Sequence, residues 1–336
     1  MSTIKDVARQ AGVSTATVSH VLNETRFVHE ATRHWVLKAV QELDYRPNIV
    51  AKSLRRRKTG TVGLIFCDLV SPFFSDLFQS VETTLGKNGF DLLVTNTGYD
   101  FEKEKAACEL FYSKQVDGII LVPGSDRGEH LQFLVDRNIP IVLLDKKVSH
   151  VKTDLVMVNN RRGSQILINY LVSLGHRRIG IIAGPQDTST GKERLEGYYQ
   201  ALNDHEIPVD PHMVKVSDFL EKGGYQSTLE LLDMSSPPSV IYCCNSPMLM
   251  GALKAFQEKN IIIPSQLGLA VFDDLPWFRF IKPPLTAVAQ PSFALGESAA
   301  MLLISRMLKK HTRPKKVVLN VELKRRLSAG EQTELA

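Results

Sequence analysis

Residues 4–23, IKDVARQAGVSTATVSHVLN, decide the fold of the amino-terminal end of the chain. Their first half carries apolar residues at the spacing of one helical face: Ile4, Val7, Ala8 and Ala11. Gly12 interrupts this helix, and Ser14 can cap a second helix. The apolar face of the second helix comprises Val18, Val21 and Leu22. Two helices joined by a short turn have the proportions of a helix-turn-helix, whose second helix enters the DNA major groove.

A third apolar period predicts a third helix that ends before Pro47, because the residue before a proline leaves the helical region. Asn48 can then cap a short fourth helix that runs through Leu54. Residues 55–60 are basic and polar without an apolar period, which predicts a domain boundary. We therefore expect a helix-turn-helix head at 1–47 and a hinge helix with its linker at 48–60.

The net positive charge of the chain comes from this end. Residues 1–60 hold 11 Lys and Arg against 5 Asp and Glu, a net charge of +6, whereas the other 276 residues hold 30 bases and 31 acids. A basic module joined to a nearly neutral body is typical of a protein that binds a polyanion through one end. A basic tail that only aids solubility would give the same distribution.

From residue 61 onward, apolar runs of strand length alternate with amphipathic segments of helix length. The predicted strands are 62–67, 92–95, 118–122, 139–144, 156–158, 179–183, 213–216, 240–243 and 269–272. The predicted helices are 74–87, 103–114, 163–174, 194–205, 224–232, 248–259 and 293–308. Continuous apolar strands alternating with helices indicate α/β structure with parallel sheets covered on both faces. About ten strands are too many for one compact sheet of this kind, so we expect two doubly wound lobes with a ligand between them.

Composition narrows the class of protein further. With 43% hydrophobic and 23% charged residues in 336, the chain is typical of a globular protein, and no stretch has the apolar length of a membrane span. The first residues lack the apolar core of a secretory signal, and four cysteines make no disulfide framework, so we expect a cytoplasmic protein. Cys243 and Cys244 lie on an apolar run and are expected to be buried. The sequence has no metal-ligand spacing, phosphate loop, nucleophile elbow or dinucleotide fingerprint. We therefore expect a protein that binds no metal or cofactor and is not an enzyme.

The stretch 4–23 resembles the DNA-binding head of the lactose/galactose-repressor family of bacterial transcription regulators. Within that family it is most similar to the purine and ribose repressors, which share the hydroxyl-rich start of the second helix and a histidine near its end. The resemblance covers nearly the whole chain to about Leu327. The motifs that carry it beyond the head are 26–28, 32–33, 43–48, 71–74, 175–179, 184–185, 194–198, 272–274, 284–286 and 290–291.

The resemblance implies a core similar to that of the periplasmic sugar-binding proteins (type I). The chain then crosses between the lobes more than once. We expect lobe 1 to comprise 61–160 plus 293–320 and lobe 2 to comprise 161–292 plus 321–336.

The resemblance also assigns DNA contacts. The expected residues are Thr3, Ser14, Thr15, Ala16, Thr17, His20, Asn23, Lys52, Leu54 and Arg55. Hydroxyls can bond to base edges, and an alanine can contact a thymine methyl. Each of these side chains could instead be an ordinary solvated residue of its helix. In the family, the segment at 48–57 folds on DNA, and a leucine matching Leu54 enters the minor groove and kinks the central step; packing of Leu54 on the body is the alternative.

For the ligand, the resemblance implies contacts at the carboxyl ends of the strands between the lobes. The expected residues are Phe73, Phe74, Asp145, Thr190, Arg194, Phe219, Asn245, Asp273 and Gln290. We place Thr190 on a loop and Arg194 at a helix start. Aromatic faces stack on sugar rings or purines, and carboxylates and amides bond to hydroxyls. Asp273 could alternatively cap the following segment, and one of the two phenylalanines could be ordinary core.

Three positions depart from the family pattern: Lys146 stands where arginine is common, Ser246 where aspartate is usual, and Val271 where glycine is usual. They bear on the size and polarity of the pocket.

We therefore expect a homodimeric, ligand-responsive transcription repressor. Its partners would be a pseudo-palindromic double-stranded DNA operator and a small-molecule effector, a sugar or related metabolite, from a carbohydrate or nucleoside/pentose operon. The alternatives are a purine-type repressor that needs a corepressor, and a global regulator with a protein effector. A sugar-binding transport component of the same fold is disfavoured by the basic head.

Overall fold

The computed structural model describes residues 2–46, 58–308 and 313–330, and the chain divides into two compact units at 59/60. The predicted short helix at 48–54 lies outside the described residues, and so do the expected DNA contacts Lys52, Leu54 and Arg55. Within the described part, no helix is long and apolar enough to cross a membrane.

The first unit is the predicted helix-turn-helix head. Its helices are α1 (Ile4–Gln10), α2 (Thr15–Asn23) and α3 (Glu30–Glu42). They pack around a small apolar core formed by Val7, Ala8, Val18, Val21, Val36 and Ala39. Leu22, predicted to be buried, is only half-buried at the edge of this core. The prediction of three short helices from apolar periodicity is confirmed.

The second unit contains two sheets, which we call lobe 1 and lobe 2. The strands of lobe 1 are β1 (Thr61–Phe66), β2 (Asp91–Asn96), β3 (Gly118–Leu121), β4 (Ile141–Leu144), β5 (Asp154–Val158) and β11 (Lys316–Leu319). Their order is β11-β5-β4-β3-β1-β2, with every neighbouring pair parallel. The core strands are apolar on both faces because helices cover both sides.

Lobe 2 has the same plan. Its strands are β6 (Ile179–Ala183), β7 (Val214–Val216), β8 (Val240–Cys243), β9 (Gly268–Phe272), β10 (Thr286–Ala289) and β12 (Glu322–Lys324), in the order β12-β10-β9-β8-β6-β7. All pairs are parallel except β10 with β12. The predicted fold class, a helix-turn-helix head with two doubly wound lobes, is confirmed.

Helices cover the two sheets. They are α4 (Pro72–Lys87), α5 (Phe101–Ser113), α6 (Gln132–Asp136), α7 (Asn160–Ser173), α8 (Ser189–Asp204), α9 (Glu221–Leu232), α10 (Ser246–Glu258) and α11 (Ser292–Met307). The segments Glu129–Leu131, Pro211–Met213, Pro276–Arg279 and Leu327–Ala329 form short 3-10 turns. The pairs α4 with α11, α7 with α8, and α9 with α10 pack side by side.

The chain passes between the lobes after β5, after β10, and between β11 and β12. An ion pair at the edge of the lobe 1 sheet joins three segments: Asp154 at the start of β5 is fully buried and accepts hydrogen bonds from Arg306 of α11 and from the Lys315 amide before β11. This cluster ties the end of α11 to the strand edge of lobe 1.

Two groups of boundaries differ from the sequence prediction. Most predicted helices begin too late; α8 begins at Ser189 rather than 194, because Thr188 caps it through a bond from the Gly191 amide. Thr190 and Arg194 therefore both lie on the helix, and the expected loop position of Thr190 is wrong. The strands β10, β11 and β12 were not predicted, because they are short and two of them are part-exposed.

Candidate functional site

A cleft lies between the two lobes of the second unit. Its walls are formed by Ser71, Phe73, Phe74, Tyr99, Asp145, Lys146, Thr190, Arg194, Phe219, Asn245, Asp273 and Gln290. All nine side chains expected at the ligand site lie in this lining. The cleft lies at the carboxyl ends of the strands, as doubly wound sheets require.

Aromatic rings form the apolar part of the cleft. Pro72 occupies the first turn of α4, which places Phe73 and Phe74 at the helix start with ring centroids 5.1 Å apart. Both phenylalanines also belong to the core of lobe 1, so neither is core alone. From lobe 2, Phe219 approaches Tyr99 of lobe 1 with ring centroids 6.4 Å apart. Phe219 lies against Gly184, where a Cβ would be 2.0 Å from its ring, so only glycine leaves room for it.

Two carboxylates hold equivalent places in the two lobes. Asp145 follows β4 and donates its amide to Val156 O at 2.8 Å; Asp273 follows β9 and donates its amide to Val288 O at 2.9 Å. Each is almost fully buried. Burial raises the pKa of both carboxyls, although the positive charge of Lys146 acts against the rise at Asp145 and that of Arg194 acts against it at both.

The backbone around the cleft is held in the left-handed region. The φ angles are 62° at Tyr99, 71° at Asp145, 68° at Phe219 and 85° at Asp273. Non-glycine residues adopt such angles at an energetic cost, and they concentrate at ligand sites where the surrounding structure fixes them. The geometry of the cleft is therefore set by the neighbouring strands.

Arg194 supplies the buried guanidinium of lobe 2. Its Nε donates to Asn160 Oδ1 at 2.8 Å, one terminal nitrogen donates to the Cys244 carbonyl, and its carbon lies 3.7 Å from the centroid of the Phe272 ring. These contacts fix the plane of the group, so it can present its remaining donors to a ligand in one orientation.

Asn245 and Gln290 differ in how many of their polar atoms are engaged. Asn245 caps α10 through Oδ1, which accepts from the Met248 amide at 3.0 Å, and its Nδ2 donates to Phe219 O at 2.9 Å. Gln290 donates through Nε2 to Asp273 Oδ1 at 2.6 Å. Asn245 thus positions Phe219, while Gln290 keeps an acceptor for the cleft.

Three buried polar atoms in the cleft have no hydrogen-bond partner among the described residues: Asp145 Oδ1, Thr190 Oγ1 and Gln290 Oε1. Buried polar atoms are costly to leave unpaired, and such atoms gathered in one cleft indicate a polar ligand. The chemistry offered is that of a site for hydroxyl or amide groups between aromatic faces.

Ser71 and Tyr99 line the cleft without being predicted from the sequence, and so does Lys146, which was expected only as a departure from the family pattern. Lys146 is buried, with Nζ donating to Pro123 O and to Cys67 Sγ at 3.1 Å each, and it lies 5.2 Å from the Tyr99 ring centroid. The other two departures, Ser246 and Val271, are buried in lobe 2 and do not line the cleft. Cys243 and Cys244 are buried free thiols, as expected. Across the described residues no cluster of His, Cys, Asp and Glu could hold a metal.

In the head, the expected DNA-contacting residues fall into two groups. Thr3 and Ser14 are the N-caps of α1 and α2, the Ser14 hydroxyl lies 2.9 Å from the Thr17 hydroxyl, and Asn23 donates to Ser19 O. Thr15 and Ala16 are exposed on the first turn of α2. His20, one turn later, has Nδ1 2.8 Å from the Thr25 hydroxyl, which orients its ring.

Comparison with known proteins agrees with both units. Residues 3–48 match the bacterial regulatory proteins of the lacI family, and residues 168–329 match the periplasmic binding protein-like domain. The ribose operon repressor of Haemophilus influenzae is 36% identical over 308 residues, which are 91% of this chain and 92% of that protein. The chain belongs to the lacI family.

Two further similarities extend over nearly the whole lacI-family chain. The HTH-type transcriptional repressor PurR of Pasteurella multocida is 35% identical over 96% of this chain and 97% of its own length. The crystal structure of the Lac repressor dimer bound to operator and an anti-inducer superposes with a TM-score of 0.86 at 25% identity, covering 98% of this chain and 99% of that one. This member of the lacI family is a ligand-responsive, DNA-binding transcription repressor.

Proposed function

We propose that the effector of this repressor is a small neutral sugar of the pentose class, bound in the interlobe cleft. The observation that carries the proposal is the pairing of two buried carboxylates, Asp145 and Asp273, with unpartnered polar atoms and aromatic faces in one cleft. Carboxylates accept hydrogen bonds from adjacent hydroxyls, and aromatic faces cover the apolar side of a sugar ring. The relation to a ribose operon repressor supports the same class.

The charges of the cleft support a neutral ligand. Two carboxyls (Asp145 and Asp273) are set against two cations (Lys146 and Arg194), and none of these groups is exposed. A phosphorylated sugar would bring a further negative charge into a site that is already balanced, at a large desolvation cost.

A purine base is the second candidate effector. The ring pair formed by Phe219 and Tyr99, together with the relation to PurR, favours a planar ligand. A purine would act as a corepressor, whereas a sugar would act as an inducer, so the two candidates predict opposite effects on operator binding.

Calorimetric titration of the purified chain with pentoses, hexoses, sugar phosphates and purine bases tests the effector class. We expect heat of binding from one or more pentoses and none from the phosphates. Binding of purines without binding of any free sugar would overturn the sugar proposal and support the purine candidate.

We further propose that the repressor acts in the cytoplasm as a homodimer on a pseudo-palindromic operator, each head reading one half-site. The two-fold symmetry of the operator would mirror that of the dimer. The relation to the Lac repressor dimer supports this assembly. In this arrangement Thr15 and Ala16 contact bases, and His20 contacts a base or a phosphate. Leu54 enters the minor groove, and Lys52 and Arg55 contact phosphates or the groove. The remaining expected contacts, Thr3, Ser14, Thr17 and Asn23, support the head on the DNA backbone.

We propose the following domain boundaries for these roles. Residues 1–47 form the head and 48–60 the hinge. Residues 61–160 with 293–320 form the first effector-binding lobe, and residues 161–292 with 321–336 form the second.

A further inference from the structure

Two ion pairs connect the lobes beside the cleft. Lys192 Nζ of lobe 2 lies 3.0 Å from Asp126 Oδ2 of lobe 1, and Lys147 Nζ of lobe 1 lies 2.9 Å from Glu193 Oε1 of lobe 2. The neighbouring residues Lys192 and Glu193 thus present opposite charges to lobe 1, and lobe 1 meets each with its complement. We call these two pairs the interlobe latch.

Hydrogen bonds donated by main-chain amides hold the same segments together. The Lys147 amide donates to Ser189 Oγ at 3.0 Å, and the Asp126 amide donates to Asp187 O at 2.7 Å. The loops that follow β3 and β4 therefore meet one stretch of lobe 2, residues 187–193, at four points.

The latch is continuous with the cleft on both sides. On α8, Lys192 and Glu193 lie between Thr190 and Arg194, whose side chains line the cleft. On lobe 1, Lys147 directly follows Lys146, another lining residue. A separation of the lobes that breaks the latch also moves α8 away from lobe 1, and so opens the ligand site.

The latch is weak enough to act as an adjustable element. Three of its four side chains are a quarter to a half exposed, and Glu193 is 17% exposed. Ion pairs with this exposure contribute little individually because water and salt screen them. They can bias a balance between open and closed lobes without fixing it, as a ligand-controlled equilibrium requires.

We propose that the interlobe latch sets how readily the cleft closes, and that Lys192 and Glu193 are positioning residues for the effector response. This inference rests on the proposed function only in taking the cleft as the effector site. Neutralising a pair lowers the population of the closed form, and an effector that binds the closed form then binds more weakly.

Reversal and exchange of charge test the proposal. The Lys192→Glu variant places two carboxylates together, and the Asp126→Lys/Lys192→Glu variant restores the pair with exchanged positions. The matched control is Lys215→Glu/Glu230→Lys, which exchanges an ion pair of 3.2 Å within lobe 2. Thermal unfolding of each variant establishes that it is folded.

The first measurement is amide hydrogen exchange without any effector, in peptides that contain the amides of Asp126 and Lys147. We expect exchange in Lys192→Glu to be faster by about two- to fivefold, the range of one exposed ion pair. The exchanged pair should return the rate to that of the wild type, and the control should not change it. Equal rates in wild type and Lys192→Glu, or a double variant as fast as the single one, would overturn the latch.

The second measurement is the dissociation constant for D-ribose by calorimetry. We expect it to rise by about two- to fivefold in Lys192→Glu and to return in the exchanged pair. If wild type binds no D-ribose, the choice of this sugar fails while the exchange experiment still decides the latch. If D-ribose binds equally to wild type and Lys192→Glu, the latch has no part in the effector response.

Discussion

Gln290 Nε2 donates a hydrogen bond of 2.6 Å to Asp273 Oδ1, and so joins the segment after β10 to the end of β9 at the edge of the cleft. The next residue, Asp274, faces a different partner: Arg326 donates to both of its carboxylate oxygens at 2.7 Å. The two adjacent aspartates therefore have different surroundings: Asp273 lines the interlobe cleft, and Asp274 holds the carboxyl-terminal segment.

Replacement of each aspartate by asparagine should distinguish these two surroundings. Asp273→Asn removes a charged acceptor from the cleft, and we expect effector affinity to fall at least about tenfold, as for a lost hydrogen bond to a charged group. Asp274→Asn should leave affinity unchanged but lower the free energy of unfolding by about 1–3 kcal/mol. Calorimetry and denaturant unfolding of both variants measure the two effects. Equal loss of affinity in both variants would contradict the assignment.

The buried carboxyls Asp145 and Asp273 should make stability depend on pH. Burial raises the pKa of each above its unfolded value, so the folded chain takes up a proton at a higher pH than the unfolded chain does. Their stabilising contribution is complete below the unfolded pKa and is lost as pH rises through the folded pKa. We therefore expect Asp145→Asn and Asp273→Asn to unfold at a higher temperature than wild type at pH 7, and the advantage to shrink toward pH 4. An advantage that is independent of pH would show that burial does not act through these groups.

Arg194→Lys tests the fixed guanidinium. A lysine has no donor at the position of Arg194 Nε, so Asn160 Oδ1 loses its donor. We expect effector affinity to fall at least about tenfold and the free energy of unfolding to fall by about 1–3 kcal/mol. Arg161→Lys is the control, because Arg161 forms a part-exposed pair with Glu196, and its effect on unfolding should stay within about 0.5 kcal/mol. An Arg194→Lys variant that binds the effector as tightly as the wild type would show that Arg194 does not contact the effector.

His20→Ala tests the reading of DNA by α2. If His20 contacts a base, the variant should lose about 1–3 kcal/mol of operator affinity and relax the preference at one base position. His34→Ala, an exposed histidine on α3, serves as the control. Binding should be measured across operator variants at one salt concentration, because phosphate contacts make affinity depend on salt. An unchanged base preference would show that His20 contacts the DNA backbone or only supports the structure of the head.

Much of the fold follows from local pattern. The apolar period through Val7, Val18 and Val36 predicts the helices of the head, and these three residues are buried in its core, although Leu22 at the core edge is only half-buried. Most of the apolar runs that became β1 to β9 are buried on both faces, which predicts parallel sheets. The edge strands β2 and β7 are the part-exposed exceptions. The run Thr286–Ala289 was missed, because it is only four residues long with two alanines, and its pairing with β9 is a long-range property.

The cleft was predicted through family resemblance more than through physical pattern. Tyr99 follows Gly98 in a turn with a left-handed backbone, so no periodicity marks it as a cleft residue. Its position depends on the Cys67 carbonyl, which accepts its amide at 3.1 Å from another strand end. Contacts between the lobes, such as Lys192 with Asp126, involve residues 66 positions apart on the surface and have no signal in a single sequence.

The most direct test of the central claim is operator binding by the full chain with and without the sugar. DNA fragments selected by the wild-type protein supply the operator, and its affinity is measured at fixed salt in wild type and Asp273→Asn with the pentose that binds best. We predict a pseudo-palindromic operator whose affinity falls at least about fivefold with the pentose in wild type and stays unchanged in Asp273→Asn. A chain that binds no specific DNA under any condition, or whose operator affinity responds to a purine and to no sugar, would contradict the account.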